Sequence, residues 1–353
     1  MIAIILTARP SWAKLEPVCR ALRTHNTPFG IIACGSALLD RYGKVVEIVR
    51  ASGYPVVAEC WSTYEGATRL TAAKETGALL TELGGVLLGL HASRVVVCAD
   101  RHEVLAAAQA ASYLHLPLLH LQGGERSGSI DDKVRDAVTQ LADTHCVATK
   151  LARLRVYGLV GQWETIHLTG CPSIDMAREA LEQPPVTVDE LGGVGAPLDL
   201  AGPFMVVLQH PVTQESGEAA TQLAITFEAC SQVAMPIVYF WPGQDAGSED
   251  MAKVVRQWRE AHPTKALHAV RNLAPTRFLR LLKQAAVLVG NSSVGIRECS
   301  YLGTPVVNIG TRQCGREHGP NMVQARHEAA SIQWMIELQV EHGHYASSEL
   351  YGT

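Results

Sequence analysis

With 353 residues, 47% of them hydrophobic, and a net charge of −4, the chain has apolar material for two domains and no basic run of the kind that grips nucleic acid. No apolar stretch approaches the roughly 20 residues of a membrane span. The opening MIAIILTARP lacks a basic leader region, so a cytoplasmic protein with no membrane or nucleic-acid partner is expected.

In chain order, IAIILTA (2–8) predicts a buried strand and SWAKLEPVCRALRTH (11–25) a helix. FGIIACG (29–35) and LLDRYGKVVEIVRASG (38–53) repeat that pair. RVVVCAD (94–100) leads into the helical EVLAAAQAASYLHL, followed by PLLHLQ, then IDDKVRDAVTQLA, then TIHLTG (165–170). Continuous apolar strands alternating with amphipathic helices predict a parallel sheet covered on both faces. The alternation stops at EQPPVTVDELGGVGAPLDLAGP (182–203), whose Pro and Gly content reads as a linker. It restarts with FMVVLQ (204–209), PIVYFW (236–241), AVLVG (286–290) and PVVNIG (305–310), with helices from Glu218, around 249–261 and near 276–285. The chain therefore reads as an α/β protein of two doubly wound, Rossmann-like domains facing a cleft. The expected boundaries are 1–181, a linker over 182–203, 204–330, and a last helix over 331–353 returning to the first domain.

Nine cysteines without a CxxC pair read as buried free thiols, and fourteen histidines without HxxxH or HExxH spacing suggest no metal site. Such sheets bind ligands at the carboxyl ends of their strands, and polar residues gather there. Arg9 and Lys14 follow the first strand; Asp100, Arg101 and His102 follow RVVVC; Gln122, Glu125 and Asp131 follow PLLHL. In the second half, His210 follows FMVVLQ, GNSSVGIRE follows AVLV, and Arg312, Arg316 and Glu317 follow PVVNIG. Ser292 and Ser293 open a helix directly after a strand, which suits an anion held by backbone N–H groups, hydroxyls and Arg297. Glu298 suits the paired hydroxyls of a ribose. Arg9 and Lys14 would grip the same diphosphate from the other half. Neither GxxxxGK[ST] nor GxGxxG occurs, which disfavours a P-loop kinase and a standard dinucleotide fold.

The segments ARPSWAKLEPV, ADRHEVLAAA, HLQGGERSGSIDD, QHPVT, DAGSEDM, GNSSVGIRE and GTPVVNIGTRQCGRE together resemble the UDP-N-acetylglucosamine 2-epimerase family. SGSIDD and GTRQCGRE resemble its hydrolysing branch, which releases free N-acetylmannosamine and UDP. That resemblance implies a glycosyltransferase-B-like fold, a nucleotide-sugar substrate, no cofactor, and a homodimer or homotetramer formed through the first domain. By motif position it places the acid–base residues on Asp100, Gln122 and Asp131, with His210 near the phosphate or sugar. Sugar- or nucleotide-contacting positions fall on Arg101, Ser292, Ser293, Glu298 and Arg312.

The departures lie in the first half. The family commonly has glutamate where this chain has Gln122, and an amide does not exchange protons usefully at neutral pH. Either Glu125 or another group substitutes, or the reaction stops short of inversion. A family histidine is replaced by Ala37, HGD by Cys98-Ala99-Asp100, and an acidic–aromatic pair by Ser11 and Trp12. The leading expectation is a hydrolysing nucleotide-sugar 2-epimerase. The alternatives are a hydrolase or glycosyl-transferring relative that does not invert C2, and a non-catalytic nucleotide-sugar sensor.

Overall fold

The computed structural model describes residues 1–66, 68–243, 245–263 and 265–353. They divide into two units, Met1–Asp175 with Gly352–Thr353, and Met176–Tyr351.

The first unit is built on strands β1 (Ile2–Leu6), β2 (Phe29–Cys34), β3 (Val56–Cys60), β4 (Arg94–Cys98), β5 (Leu118–Leu121), β6 (Thr144–Val147) and β7 (Ile166–Leu168). All pair in parallel, in the order β3-β2-β1-β4-β5-β6-β7. β1, β2 and β4 are buried almost throughout because helices cover both faces, which is why they read as unbroken apolar runs. Side chains of β1 alternate between two cores. Ala3 and Ile5 pack with Leu79, Leu83 and Ala107, while Ile4 and Leu6 pack with Trp12, Leu15 and Ala37.

The second unit carries β8 (Val194–Gly195), β9 (Met205–Leu208), β10 (Ile237–Phe240), β11 (Leu267–Val270), β12 (Val287–Gly290), β13 (Val306–Ile309) and β14 (Met322–Ala325). Their order is β14-β13-β12-β9-β10-β11-β8, with β8 antiparallel at the edge. Phe227, Tyr239 and Trp258 anchor its core together with Met205, Val207 and Val289. Burying each such side chain contributes on the order of 1.5–3 kcal/mol.

The α/β class is as expected for both units; the boundaries differ. Residues 182–203 are part of the second unit rather than a free linker. Arg280 donates to the carbonyls of Pro184 and Pro185 and pairs with Glu190, Gln284 bonds both backbone groups of Val186, and β8 lies on β11. The last helix, Ala329–His342, packs on the helix Ala219–Gln232 and on β13 and β14 through Ile332 and Ile336, so it too belongs to the second unit. Only Gly352–Thr353 group with the first unit. The helix expected over 38–53 shrinks to Val45–Ala51, behind two 3₁₀ turns.

Candidate active site

In the first unit β1, β4 and β5 are neighbours, so the residues after them share one end of the sheet. Each of β4 and β5 ends in a non-glycine residue in the left-handed region, Ala99 (φ +69°) and Gln122 (φ +66°). Such conformations disfavour side chains by about 1 kcal/mol or more and persist only where the surroundings fix them. Here the fixing is visible. The Ala99 N–H donates to Leu121 O and the Gln122 N–H to Cys146 O, both at 2.9 Å, which carries each ladder one residue further before the chain turns. His120 Nε2 lies 2.9 Å from the Ala99 carbonyl, which can only accept, so the proton sits on Nε2 and Nδ1 accepts from Thr139 Oγ1 at 3.2 Å. Complete burial pushes His120 down to about 4, keeping it neutral in that role.

These turns present Asp100 and Gln122. Gln122 is 2% exposed; its Nε2 donates to Cys171 Sγ at 2.8 Å, and Cys98 lies on its Oε1 side. The amide is held by thiols at a position where the family resemblance leads one to look for a carboxylate.

The glycine pair after it answers to packing. At Gly124 (φ +78°) a Cβ would lie 2.3 Å from the carbonyl oxygen of Ala152, so only glycine lets the loop cross the helix Lys150–Val160. Glu125, 5% exposed, follows. Of the two acids opening the helix Asp131–Leu141, Asp132 is committed to the turn. It accepts from the N–H and hydroxyl of Ser127, the N–H of Gly128 and Arg135 Nη1. Asp131 is half-buried, its own N–H donating to Ser129 Oγ. Asp100 is ion-paired with Arg135.

Arg101 is fixed by a two-pronged bond to Glu103, which is 1% exposed. Behind it His102 Nε2 meets Glu75 at 3.0 Å. Burial works against the His102 imidazolium, but Glu103 and Glu75 outweigh it and raise its pKa. Burial likewise disfavours the Glu103 carboxylate, and Arg101 and His102 overcome that to lower it. At the end of β1, Arg9 begins the helix Arg9–Thr24, whose N-cap Ala8 offers no side-chain acceptor and whose first turn has no acid. Burial lowers Arg9 to about 10, and Lys14 is 7% exposed. The partly buried Arg9 and the buried Lys14 thus place two cations in the first turns of that helix.

In the second unit β9, β12 and β13 are adjacent, and Asn291 joins the loops after them. Its Oδ1 accepts from the His210 N–H at 2.7 Å, its Nδ2 donates to the His210 carbonyl at 2.8 Å, and its own carbonyl accepts from Arg312 Nη1 and Gln313 Nε2. At Gly290 (φ +145°) a Cβ would lie 2.1 Å from Leu208 O, so glycine is required for β12 to close on β9 and bring Asn291 into reach.

The stretch after Asn291 differs from the expected helix. Ser292 caps only Ser293–Ile296, which breaks at Arg297 before Glu298–Leu302. The dipole of a full helix, on which the expected anion site relied, is therefore absent. Arg297, 3% exposed, donates to Ser293 Oγ at 2.7 Å, and Glu298 is 5% exposed. Arg316 is partly buried, and desolvation lowers its pKa.

The structure thus places Arg9, Lys14, Asp100, Arg101, Gln122, Glu125 and Asp131 at one end of the first sheet. His210, Ser292, Ser293, Arg297, Glu298 and Arg312 lie at the corresponding end of the second. The sequence placed Asn291 only within the expected anion-binding loop, and His120, Glu103 and Arg135 had no assigned role. A buried polar residue inside an apolar run was the available signal for His120. The nine cysteines are free, as expected, but Cys314 is exposed and Cys146 only partly buried.

The family model described as UDP-N-acetylglucosamine 2-epimerase matches residues 20–353. A Legionella pneumophila UDP-N,N'-diacetylbacillosamine 2-epimerase (hydrolyzing) is 28% identical over 91% of this chain and 84% of its own length. A Neisseria meningitidis UDP-N-acetylglucosamine 2-epimerase is 25% identical over 99% of this chain and 90% of its own. The crystal structure of a UDP-GlcNAc 2-epimerase from N. meningitidis bound to UDP-GlcNAc matches in fold with a TM-score of 0.78 at 14% identity, covering 99% of this chain and 95% of that one. A Methanocaldococcus jannaschii enzyme in complex with UDP-GlcNAc and UDP gives 0.78 at 17% identity, covering 100% and 96%. The two doubly wound units are those of the glycosyltransferase-B-like fold. With the family model spanning nearly the whole chain, this protein belongs to the UDP-N-acetylglucosamine 2-epimerase family and is an enzyme of that nucleotide-sugar class.

Proposed function

We propose that the enzyme is a hydrolysing 2-epimerase acting on a UDP-linked 2-acetamido sugar, either UDP-N-acetylglucosamine or a diacetamido relative. A carboxylate removes the proton from C2, the C2–H electron pair forms a C1=C2 double bond, and the C1–O bond breaks to release UDP. Water then adds to C1 while C2 takes a proton on the opposite face, giving a C2-inverted free sugar. Two proton-handling groups and cations for the departing diphosphate are needed.

The observation that carries this reading is the pair of acids at one sheet end, Asp100 beyond β4 and Asp131 at the head of the helix Asp131–Leu141, with Asp132 committed to the turn. Asp100 and Asp131 take the proton-handling parts, with Glu125 as the reserve carboxyl. Gln122 orients the sugar rather than exchanging protons. Arg9, Lys14, Arg101 and Arg312 meet the diphosphate, with His210 at the phosphate or sugar. Ser292, Ser293 and Arg297 hold the phosphate and Glu298 the ribose. No cofactor enters this scheme. Similarity to the Legionella hydrolyzing enzyme supports the mode and widens the sugar to diacetamido forms. The enzyme is proposed to be cytoplasmic and a homodimer or homotetramer, which light scattering of the purified protein decides. Among the described residues no helix is long and apolar enough to cross a membrane.

The test is UDP release, followed by phosphorus NMR, from UDP-N-acetylglucosamine and UDP-N,N'-diacetylbacillosamine. Release from either supports the reading; intact substrate with both, under conditions where UDP raises Tm, contradicts it. One observation favours hydrolysis without inversion, namely that Gln122 is held as an amide by Cys171. If that is the course, Gln122→Glu is expected to raise the inverted fraction of the product.

A further inference from the structure

The helix Asp131–Leu141 turns Arg135, Val138 and Thr139 inward. Arg135 is 1% exposed, yet its guanidinium reaches three acceptors in three segments. Nη1 donates to Glu125 O at 2.7 Å and to Asp132 Oδ1 at 2.6 Å, while Nη2 is paired with Asp100 Oδ2. One turn along, Thr139 bonds His120, which in turn holds the Ala99 carbonyl. Two chains of bonds from one helix face therefore converge on the Ala99–Asp100 turn, and the same helix begins with Asp131.

We propose that Arg135 is a positioning residue for the reaction, fixing Asp100 at a set distance from Asp131, with Thr139 and His120 bracing the turn behind it. The inference rests on the reading of Asp100 and Asp131 as the proton-handling pair. Burial separates the roles: the Asp100 side chain keeps 17% of its exposure and the Arg135 side chain 1%, so the carboxylate faces outward and the guanidinium supports it from within. Serving two carboxylates and a carbonyl needs the planar fork of arginine, which lysine cannot reproduce. The left-handed Ala99 needs such over-determination to persist. Without the clamp, Asp100 would retain its chemistry and lose its place.

The test compares Arg135→Lys and Arg135→Met in the full-length protein with the wild type. Turnover of Arg135→Lys is expected to fall on the order of 100-fold, the scale of a misplaced catalytic group, with KM and the UDP-induced rise in Tm unchanged. Carbon-detected NMR of Asp-labelled protein, with the Asp100 signal assigned through Asp100→Asn, is expected to show that carboxyl titrating at higher pH in Arg135→Met. That readout does not depend on turnover, so a wild type inactive on every nucleotide sugar would overturn the proposed reaction while leaving the clamp testable. Thr139→Val removes one brace, is milder, and serves if Arg135→Met does not fold; it is expected to lower kcat several-fold at constant KM. An unchanged Asp100 titration with unchanged kcat overturns the proposal. So does loss of UDP binding in step with kcat, because a general structural role would produce that.

Discussion

The two sheet ends are held by different forces. In the first unit the polar residues are ionic: Asp100 with Arg135, Arg101 with Glu103, His102 with Glu75. In the second the corresponding loops are tied by neutral amides and backbone groups, with Asn291 bonding His210, Arg312 and Gln313. Compensated carboxylates can be kept at a defined charge and position, which proton transfer requires. The contrast fits the proposed division of labour, with proton handling in the first unit and nucleotide binding in the second.

The comparison breaks most decisively at Asp131. Asp131→Asn is expected to lower turnover on the order of 10³-fold while leaving the UDP-induced rise in Tm unchanged. Equal loss of both would assign the first unit a binding role and dissolve the contrast.

Next in size is the neutral histidine behind Ala99. His120 titrates at about 4 when folded against about 6.5 in an unfolded chain. Between those values the unfolded state binds more protons, so stability is full above pH 6.5 and declines as pH falls toward 4, by up to about 3 kcal/mol. Denaturant melts across that window are expected to show this slope in the wild type and to lose most of it in His120→Gln. His102, whose pKa is raised, acts with the opposite sign: its contribution is present below 6.5 and lost as pH rises above its folded value. An unchanged slope in His120→Gln would remove His120 as its source.

In the second unit, Asn291→Ala should weaken UDP binding about tenfold, since that side-chain amide makes both bonds to the His210 backbone. Calorimetry measures this, and kcat at saturating substrate should change less than Kd. A selective fall in kcat would invert the comparison. The smallest effect is expected at Ala99→Gly. Relief of the left-handed φ, offset by a more flexible unfolded chain, should leave stability within about 1 kcal/mol of the wild type by urea melts.

What could be read from the sequence follows from range. β1, β2, β4 and β12 are unbroken apolar runs because both faces are covered, and they were legible, as were the polar residues that follow them. β3, β6, β11 and β14 are strands of only four or five residues interrupted by Glu59, His145, His268 and Gln324, and β3, β14 and β8 lie at sheet edges, so periodicity gave no signal. The 182–203 stretch looked like a linker from its Pro and Gly content; the bonds that bind it come from Arg280 and Gln284, far along the chain. The same holds for the site. Asp100 and Asp131 were visible as acids after strands. The Asp100–Arg135 pair and the Gln122–Cys171 bond join residues brought together only by the sheet order.

The most direct measurement is the reaction with UDP-N-acetylglucosamine or its diacetamido relative in D2O with EDTA, followed by proton and phosphorus NMR. The expected result is UDP together with a free, C2-inverted sugar carrying deuterium at C2, which requires C2–H cleavage and re-addition from solvent. UDP with an undeuterated, uninverted sugar would contradict elimination. It would leave Asp100 and Asp131 with simple hydrolysis, and Gln122 as the residue that stops the chemistry there.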